Sequence, residues 1–193
     1  MTSTVVSPDG SRIAFESSGA GPAMLLVHGT SATRIRWAPV REKLAARYTV
    51  HEMDRRGRGG SVAESGPYSL AREAQDVAAV AEAIGGDVYV VGHSYGALCV
   101  IAALTITREI DAVNEFRATD RLANIAAPVR MLLGTESPTY LRAATAAIAA
   151  QLPDARVVAV QGQAHQAIDL DVDQFVGLVF DFDTTTDGLR GPG

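Results

Sequence analysis

The sequence has very little cysteine, no long apolar run and no excess of positive charge. Its single cysteine, Cys99, excludes a disulfide bond within the chain and is typical of a reducing compartment such as the cytoplasm. No apolar stretch is long enough to cross a bilayer, and residues 1–10 lack the apolar segment of a signal peptide, so we predict neither a membrane partner nor export. The net charge of −5 argues against a nucleic-acid partner, because phosphate binding requires clustered lysine and arginine.

The glycine-rich and histidine-containing segments lack the spacings that bind nucleotides or metals. Residues 55–61 (RRGRGGS) have neither the Gly-Lys-Ser/Thr ending of a P-loop nor the Gly-x-Gly-x-x-Gly spacing of a dinucleotide site, so we interpret them as a structural turn. The histidines form no spaced cluster with cysteine or carboxylates. We therefore predict no cofactor and no metal ion.

Short strand-like runs alternate with longer helical patterns, which predicts an α/β fold. We expect one domain over residues 1–183 of the 193, followed by a disordered polar tail at 184–193. Strands Thr4–Ser7 and Arg12–Ser17 flank a Pro-Asp-Gly turn, which indicates a hairpin. Further strands are predicted at Ala23–Val27, Tyr48–Met53, Asp87–Val91, Val129–Gly134 and Ala155–Val160, and helices at Trp37–Arg47, Leu70–Ile84, Ala97–Leu104, Arg108–Phe116, Tyr140–Leu152 and Val172–Phe182.

The most informative segment is the apolar run Asp87–Val91, which ends in Gly-His-Ser-Tyr-Gly at residues 92–96 and continues directly into a second apolar run. This order predicts a strand, a sharp turn and a helix, with Ser94 at the apex of the turn and its hydroxyl exposed. The glycine at each end of the pentapeptide permits the tight turn and the close packing of strand and helix. Together these features indicate a nucleophilic serine.

A serine nucleophile needs a general base, and the base needs an acid that holds it. His165 lies just beyond the last predicted strand, and Glu136 lies just beyond the preceding one. In a parallel sheet these loops emerge at the same edge as the loop of Ser94, which is where open α/β folds bind ligands. We therefore predict Ser94 as nucleophile, Glu136 as acid and His165 as base.

Other residues stay open for the acid or receive structural roles. Asp111 and Asp120 are alternatives to Glu136, because both fall between the serine and the later strands. His51 lies within a strand, His93 occupies the variable position of the turn, and His28 is expected to shape the loop after its strand.

The tetrahedral intermediate of acyl transfer also requires an oxyanion hole. We expect one donor to be the backbone N–H of Tyr95, at the start of the helix, where the helix dipole favours negative charge. The second donor is expected from the loop His28-Gly29-Thr30-Ser31, and the backbone N–H of Thr30 is the natural candidate.

Several of these segments, in their order, resemble the α/β-hydrolase superfamily. The resemblance implies a mostly parallel sheet with helices on both faces behind an N-terminal antiparallel hairpin. It gives the same roles to Ser94 as nucleophile, His165 as base and Glu136 as acid, and to Tyr95 and Thr30 as oxyanion donors. It also implies a serine hydrolase acting on small-molecule ester or acyl substrates. Lyases, C–C hydrolases, perhydrolases and acyltransferases of the superfamily use the same constellation. The matching segments are LLVHGT (25–30), MDRRGRGGS (53–61), GHSYG (92–96), LLGTESP (132–138) and GQAH (162–165).

One segment departs from the pattern of the superfamily. Relatives usually follow the serine helix with another strand and a helical cap, whereas Leu104–Ala127 is mostly helical and polar and has no clear apolar strand. We therefore expect a shortened form in which Val129–Gly134 pairs directly beside Asp87–Val91 or leaves a gap. Its site would be open, with few walls to select an acyl group. A catalytically weak ligand-binding protein, and a homodimer formed over an exposed apolar edge, are the alternatives that this departure suggests.

Overall fold

The computed structural model describes residues 2–62, 66–105, 122–165 and 171–186. The chain forms two compact units, Met1–Phe116 and Arg117–Gly193. The first unit contains five of the seven described strands, and the second contains the other two. The predicted helix Arg108–Phe116 and the alternative acids Asp111 and Asp120 lie outside the described residues.

A five-stranded mixed sheet is the framework of the first unit. Its strands are β1 (Thr2–Val6), β2 (Arg12–Ser18), β3 (Ala23–Val27), β4 (Thr49–Met53) and β5 (Val88–Gly92). They lie in the order β1-β2-β4-β3-β5. β1 and β2 form the predicted antiparallel hairpin, and β2 is also antiparallel to β4. β3 is parallel to both of its neighbours, so the loops after β3, β4 and β5 emerge at one edge.

Helices flank this sheet on both faces. They are α1 (Ala38–Ala45), which follows a 3₁₀ turn at Arg34–Trp37, α2 (Leu70–Ile84) and α3 (Tyr95–Leu104). Ser69 caps the N-terminus of α2, where its side chain accepts a hydrogen bond from the backbone N–H of Arg72. The helix ends before Gly85, whose φ is 76°. No helix in the described ranges is long and apolar enough to span a bilayer.

The core of the first unit follows from the alternation of side chains along β3. Leu25 and Val27 are buried in one cluster with Val77 and Val80 of α2 and Cys99 of α3. Neighbouring side chains on a strand point to opposite faces, so Met24 and Leu26 lie on the face of α1. All four apolar residues Met24–Val27 are buried, which is the pattern expected of a central strand covered on both sides.

A parallel two-stranded sheet with two helices forms the described part of the second unit. Its elements are β6 (Val129–Gly134), α4 (Thr139–Ala149), β7 (Ala155–Val160) and α5 (Val172–Thr186), after a 3₁₀ turn at Leu122–Asn124. α4 contacts both strands. Arg130 of β6 donates to the Leu178 carbonyl oxygen of α5 at 3.3 Å, and its guanidinium carbon lies 5.0 Å from the centre of the Phe182 ring.

The described strands form two separate hydrogen-bonded sheets. β5 pairs only with β3 among them, and β6 pairs only with β7. The predicted placement of β6, either directly beside β5 or across a gap, concerns strands of different units and stays a prediction. The residues between α3 and Leu122 fall almost entirely outside the described part of the chain, so the loss of a strand and of the cap stays a prediction.

The predicted elements differ from the observed ones mainly at helix ends. The helix predicted to begin at Trp37 begins at Ala38, because the chain before it forms a 3₁₀ turn. α4 ends at Ala149 instead of Leu152; the restriction that Pro153 places on the residue before it accounts for Leu152 alone. α5 continues to Thr186, four residues beyond Phe182.

Candidate active site

Ser94 lies at the sharp turn between β5 and α3. Its backbone has φ 55° and ψ −124°, a conformation that costs a non-glycine residue about 1–3 kcal/mol. The Gly96 N–H donates to the His93 carbonyl oxygen at 2.9 Å, and the Ala97 N–H donates to the Ser94 carbonyl oxygen at 2.9 Å. These bonds close the turn and maintain the strained conformation at its apex.

A close backbone approach at Gly96 holds the turn against the end of β3. A Cβ atom on Gly96 would overlap the Val27 carbonyl oxygen and lie 2.6 Å from the His28 carbonyl oxygen. In addition, the His93 N–H donates to the Val27 carbonyl oxygen at 3.0 Å. The start of α3 and the loop after β3 therefore contact each other directly through their main chains.

The loop after β3 passes beside the Ser94 side chain. A Cβ atom on Gly29 would lie 3.0 Å from both the Ser94 Cβ atom and the His93 carbonyl oxygen, which is closer than ordinary packing allows. Thr30 follows directly and is exposed. Among the described residues, the backbone N–H groups of Thr30 and Tyr95 have no hydrogen-bond acceptor. Their role as oxyanion donors to a ligand at Ser94 stays a prediction.

His28 is fully buried and shapes this loop. Its Nδ1–H donates to the Gly29 carbonyl oxygen at 2.9 Å, and its Nε2 accepts the backbone N–H of Arg55 at 3.0 Å. This pair of bonds requires the neutral imidazole with its proton on Nδ1. Burial lowers the pKa of His28 below its ordinary value, and the positive charge of Arg55 acts in the same direction, so the ring stays neutral.

A buried ion pair between Arg55 and Glu73 contacts the same loop. Glu73 of α2 accepts from Arg55 Nη2 at 2.6 Å and from Nε at 2.9 Å. Arg55 Nη1 donates to the Gly29 carbonyl oxygen at 3.0 Å, and the guanidinium carbon lies 4.6 Å from the centre of the Tyr95 ring. The Tyr68 hydroxyl donates to Glu73 at 2.7 Å and accepts from Arg55 at 2.9 Å. The pair thus joins α2 to the Gly29 carbonyl group, in the peptide that carries the Thr30 N–H, and to the side chain of Tyr95.

The adjacent arginine forms a second, separate buried pair. Arg56 donates to Asp76 of α2 from Nε and Nη2, each at 2.7 Å, and to Asp9 from Nη1 at 2.8 Å. The arginines that begin the glycine-rich segment 55–61 are thus neutralised by carboxylates. The segment is a structural turn, as predicted, and its Ser61 N–H donates to the carbonyl of residue 58 at 2.8 Å.

In the second unit, the loops that carry Glu136 and His165 are bonded to each other. The Glu136 N–H donates to the Gln163 carbonyl oxygen at 2.8 Å, and the Gly162 N–H donates to the Thr135 hydroxyl at 2.9 Å. Both predicted catalytic residues are exposed, in loops that follow the parallel strands β6 and β7. The structure therefore brings the predicted acid and base loops together at one edge of this sheet.

The five predicted site residues are divided between the two units. Ser94, Tyr95 and Thr30 belong to the first unit, where the loop after β3 meets the turn before α3. Glu136 and His165 belong to the second unit. The assembly of all three catalytic side chains into one triad stays a prediction.

The architecture and the order of these segments have counterparts among known proteins. A sequence model of the alpha/beta hydrolase family matches residues 24–113, which include β3, the loop of Thr30 and the turn of Ser94. A solved alpha/beta hydrolase from Sphaerobacter thermophilus superposes with a TM-score of 0.76 and 27% identity, over 93% of this chain and 99% of that one. The chain belongs to the α/β-hydrolase superfamily. An esterase from Rhodococcus, with a TM-score of 0.79 and 22% identity over 94% of this chain and 98% of that one, shares the fold of this α/β hydrolase.

Curated relatives match this α/β hydrolase over part of their length. A putative carbamate hydrolase, RutD, from Azorhizobium caulinodans is 34% identical over 136 residues, which are 67% of this chain and 51% of that protein. An N-formylmaleamate deformylase from Pseudomonas putida is 39% identical over 89 residues, which are 44% of this chain and 32% of that protein. The chain therefore spans about half or less of the length of these relatives.

The side-chain contacts of Arg55 in this α/β hydrolase were not predicted from the sequence. One signal was present in α2. Glu73 and Asp76 fall on the same helical face as the buried Val77 and Val80. Charged residues on a buried helix face require partners, so this spacing indicated that two cations must meet α2.

The single thiol of the α/β hydrolase is a core residue. Cys99 is fully buried, and burial raises the pKa of its thiol to about 12, so the thiol stays protonated. In the ranges that the structure describes, no three His, Cys, Asp or Glu side chains are placed to hold a metal ion.

Replacing Ser94 by glycine should yield a more stable protein than replacing it by alanine. Both variants lose the hydroxyl, but only glycine adopts φ 55° without strain. We expect a difference in the free energy of unfolding of about 0.5–2 kcal/mol, which is the strain less the larger entropy of glycine in the unfolded chain. Urea unfolding measures it. The matched pair Ser3→Gly and Ser3→Ala, on an exposed strand, should show the opposite order, and equal midpoints at position 94 would contradict the prediction.

Stability should fall as the pH drops below about 6.5, partly through His28. In the folded protein burial lowers its pKa, whereas the unfolded chain binds the proton near the ordinary value. Above pH 6.5 His28 therefore makes its full contribution to the free energy of unfolding. Below pH 6.5 that contribution falls by up to about 1.4 kcal/mol per pH unit. Unfolding of wild type and His28→Gln between pH 7.5 and 5.5, followed by the fluorescence of the single tryptophan, Trp37, should show a shallower pH dependence in the variant. Identical slopes would rule out this role.

Proposed function

We propose that the chain is a serine hydrolase that cleaves small ester or acyl substrates through an acyl-enzyme formed on Ser94. The observation that carries the proposal is the strained turn, in which Ser94 has φ 55° between β5 and α3. Backbone strain of this kind clusters at functional sites, and in this superfamily the strained serine is the nucleophile. The relatives support an acyl substrate, since they include a protein named as a putative carbamate hydrolase and an N-formylmaleamate deformylase.

In the proposed reaction, the Ser94 hydroxyl oxygen attacks the carbonyl carbon while His165 accepts its proton. Glu136 orients the imidazole and stabilises the imidazolium. The developing oxyanion accepts hydrogen bonds from the backbone N–H groups of Tyr95 and Thr30. Tyr95 lies at the N-terminus of α3, where the positive end of the helix dipole also stabilises negative charge. His165 then protonates the leaving group as its bond to carbon breaks. Water attacks the acyl-enzyme by the same steps and releases the acid.

Hydrolysis of a C–N bond, in a formamide or a carbamate, is the second candidate. The names of two relatives favour it. Ester and amide cleavage pass through similar tetrahedral intermediates, but an amine leaves only after it is protonated, so the two reactions depend differently on His165. Comparison of kcat/KM for p-nitrophenyl acetate, an N-formyl amide and an alkyl carbamate ranks the two candidates.

Ser94→Ala should abolish turnover of p-nitrophenyl acetate and labelling by a fluorophosphonate. We expect at least about a 1,000-fold loss in kcat, because the acyl-enzyme can no longer form. Ser3→Ala, at an exposed serine of β1, is the matched control and should keep both activities. Equal turnover in wild type and Ser94→Ala would refute the proposal, and a folded wild type without turnover would favour the ligand-binding alternative.

Glu136→Gln should lower kcat by at least about 100-fold, because an amide cannot stabilise the imidazolium of His165. Asp111→Asn and Asp120→Asn test the two alternative acids and should each leave kcat within about threefold of wild type. The three variants are compared with p-nitrophenyl acetate at saturating concentration. A large loss in one aspartate variant, with Glu136→Gln unaffected, would move the acid to that aspartate.

A further inference from the structure

We propose that Arg55 is a positioning residue that fixes the orientation of the oxyanion loop. This inference rests on the proposed function, since it concerns the charge that develops when Ser94 attacks a carbonyl. Arg55 itself is buried, so we assign it no contact with the substrate. It acts through the Gly29–Thr30 peptide and through Tyr95, the two groups that carry the predicted oxyanion donors.

The first step concerns the Gly29 carbonyl group. Its oxygen accepts two hydrogen bonds, from Arg55 Nη1 at 3.0 Å and from His28 Nδ1 at 2.9 Å. A trans peptide is planar, and its C=O and N–H point in opposite directions. Two bonds that hold the carbonyl towards the buried Arg55 and His28 therefore turn the Thr30 N–H away from them, where it stays available to a ligand.

The second step concerns the tautomer of His28. The backbone N–H of Arg55 donates to His28 Nε2 at 3.0 Å, so the imidazole proton must lie on Nδ1. That proton is the one donated to the Gly29 carbonyl oxygen. Arg55 thus controls both hydrogen bonds to this oxygen, one through its side chain and the other through its main chain.

The third step concerns the other oxyanion donor. The Arg55 guanidinium carbon lies 4.6 Å from the centre of the Tyr95 ring, within the range of a cation–π contact. Tyr95 is the first residue of α3, and its backbone N–H is the predicted donor that acts together with the Thr30 N–H. A single buried cation therefore contacts the residues on both sides of the oxyanion position.

Arg55 can position these groups because it is itself held in one orientation. Glu73 accepts from its Nε and Nη2, and the Tyr68 hydroxyl also accepts from Nη2. The side chains of Arg55 and Glu73 are 3% and 0% exposed. The planar guanidinium directs two N–H groups to Glu73 and a third to Gly29 in fixed geometry, which the ammonium group of lysine cannot reproduce.

A fixed donor is catalytically useful because it needs no reorganisation when the oxyanion forms. Loss of one complete oxyanion donor costs about 100- to 1,000-fold in kcat, and a misplacement of about 1 Å costs about 100-fold. A Thr30 N–H that is present but free to rotate should therefore lower kcat by about 10- to 100-fold.

The decisive variant removes the ion pair as a pair, in Arg55→Met/Glu73→Leu. Replacing a buried ion pair by apolar side chains of similar volume often leaves the fold intact. The matched control is Arg56→Met/Asp76→Leu, which removes the neighbouring pair between the same loop and the same helix. The first variant should lose about 10- to 100-fold in kcat for p-nitrophenyl acetate with little change in KM. The control should stay within about threefold of wild type.

A second variant and a second readout make the test independent of folding and of turnover. Arg55→Lys keeps the positive charge and a partner for Glu73. It lacks the planar guanidinium group that donates to Glu73 and to the Gly29 carbonyl oxygen at the same time. It should lose kcat like the pair variant and should not behave like wild type. The backbone amide resonance of Thr30 in a ¹⁵N–¹H spectrum should shift, and its hydrogen exchange should change, in both Arg55 variants but not in the Arg56 control.

The outcomes separate this inference from the proposed function. Full kcat in a folded Arg55 variant, an equal loss in the Arg56 control, or an unchanged Thr30 resonance would each overturn the positioning role of Arg55, provided that wild-type turnover requires Ser94. If wild type shows no Ser94-dependent turnover, the proposed function fails and the role of Arg55 fails with it. If the pair variant does not fold, the result for Arg55→Lys decides.

Discussion

The region around Ser94 depends on the close approach of two backbone segments, the end of β3 and the start of α3. Gly96 lies against the carbonyl groups of Val27 and His28, and Gly29 lies against the Ser94 side chain. One segment ends a strand that is buried on both faces, and the other begins a helix packed on the same sheet. Neither can move without disrupting the core, so the backbone strain at Ser94 is maintained by hydrophobic packing elsewhere in the unit.

Buried charge determines the path of the loop after β4. A buried ion pair contributes little net stability, because the loss of hydration offsets most of the attraction between the charges. Its effect on structure is geometric, since each guanidinium must meet its carboxylate in a fixed plane. Arg55 and Arg56 therefore direct the loop towards α2, and Arg55 carries that constraint on to Gly29. The hydrophobic core maintains the turn of Ser94, and the charged contacts shape the peptide groups beside it.

The parts of the fold that could be predicted are those whose cause is local. The run Ala23–Val27 is apolar because it is covered on both faces. Gly92 and Gly96, two residues before and after Ser94, lie where the backbones approach too closely for any side chain. The start of α1 was predicted one residue early, because no apolar pattern distinguishes a 3₁₀ turn from a helix. The contacts of Arg55 could not be predicted, because they join residues that are distant in the chain.

The two carboxylates of α2 also have a consequence for how this helix finds its place on the sheet. Glu73 and Asp76 are three residues apart and meet arginines that are adjacent in the chain. If α2 moved along its axis by one turn, apolar contacts of Val77 and Val80 could be exchanged for similar ones. One carboxylate would then move to about the position of the other, and the second carboxylate and one arginine would be buried without partners. The ion pairs therefore select a single register for α2, as a buried polar residue does in a coiled coil.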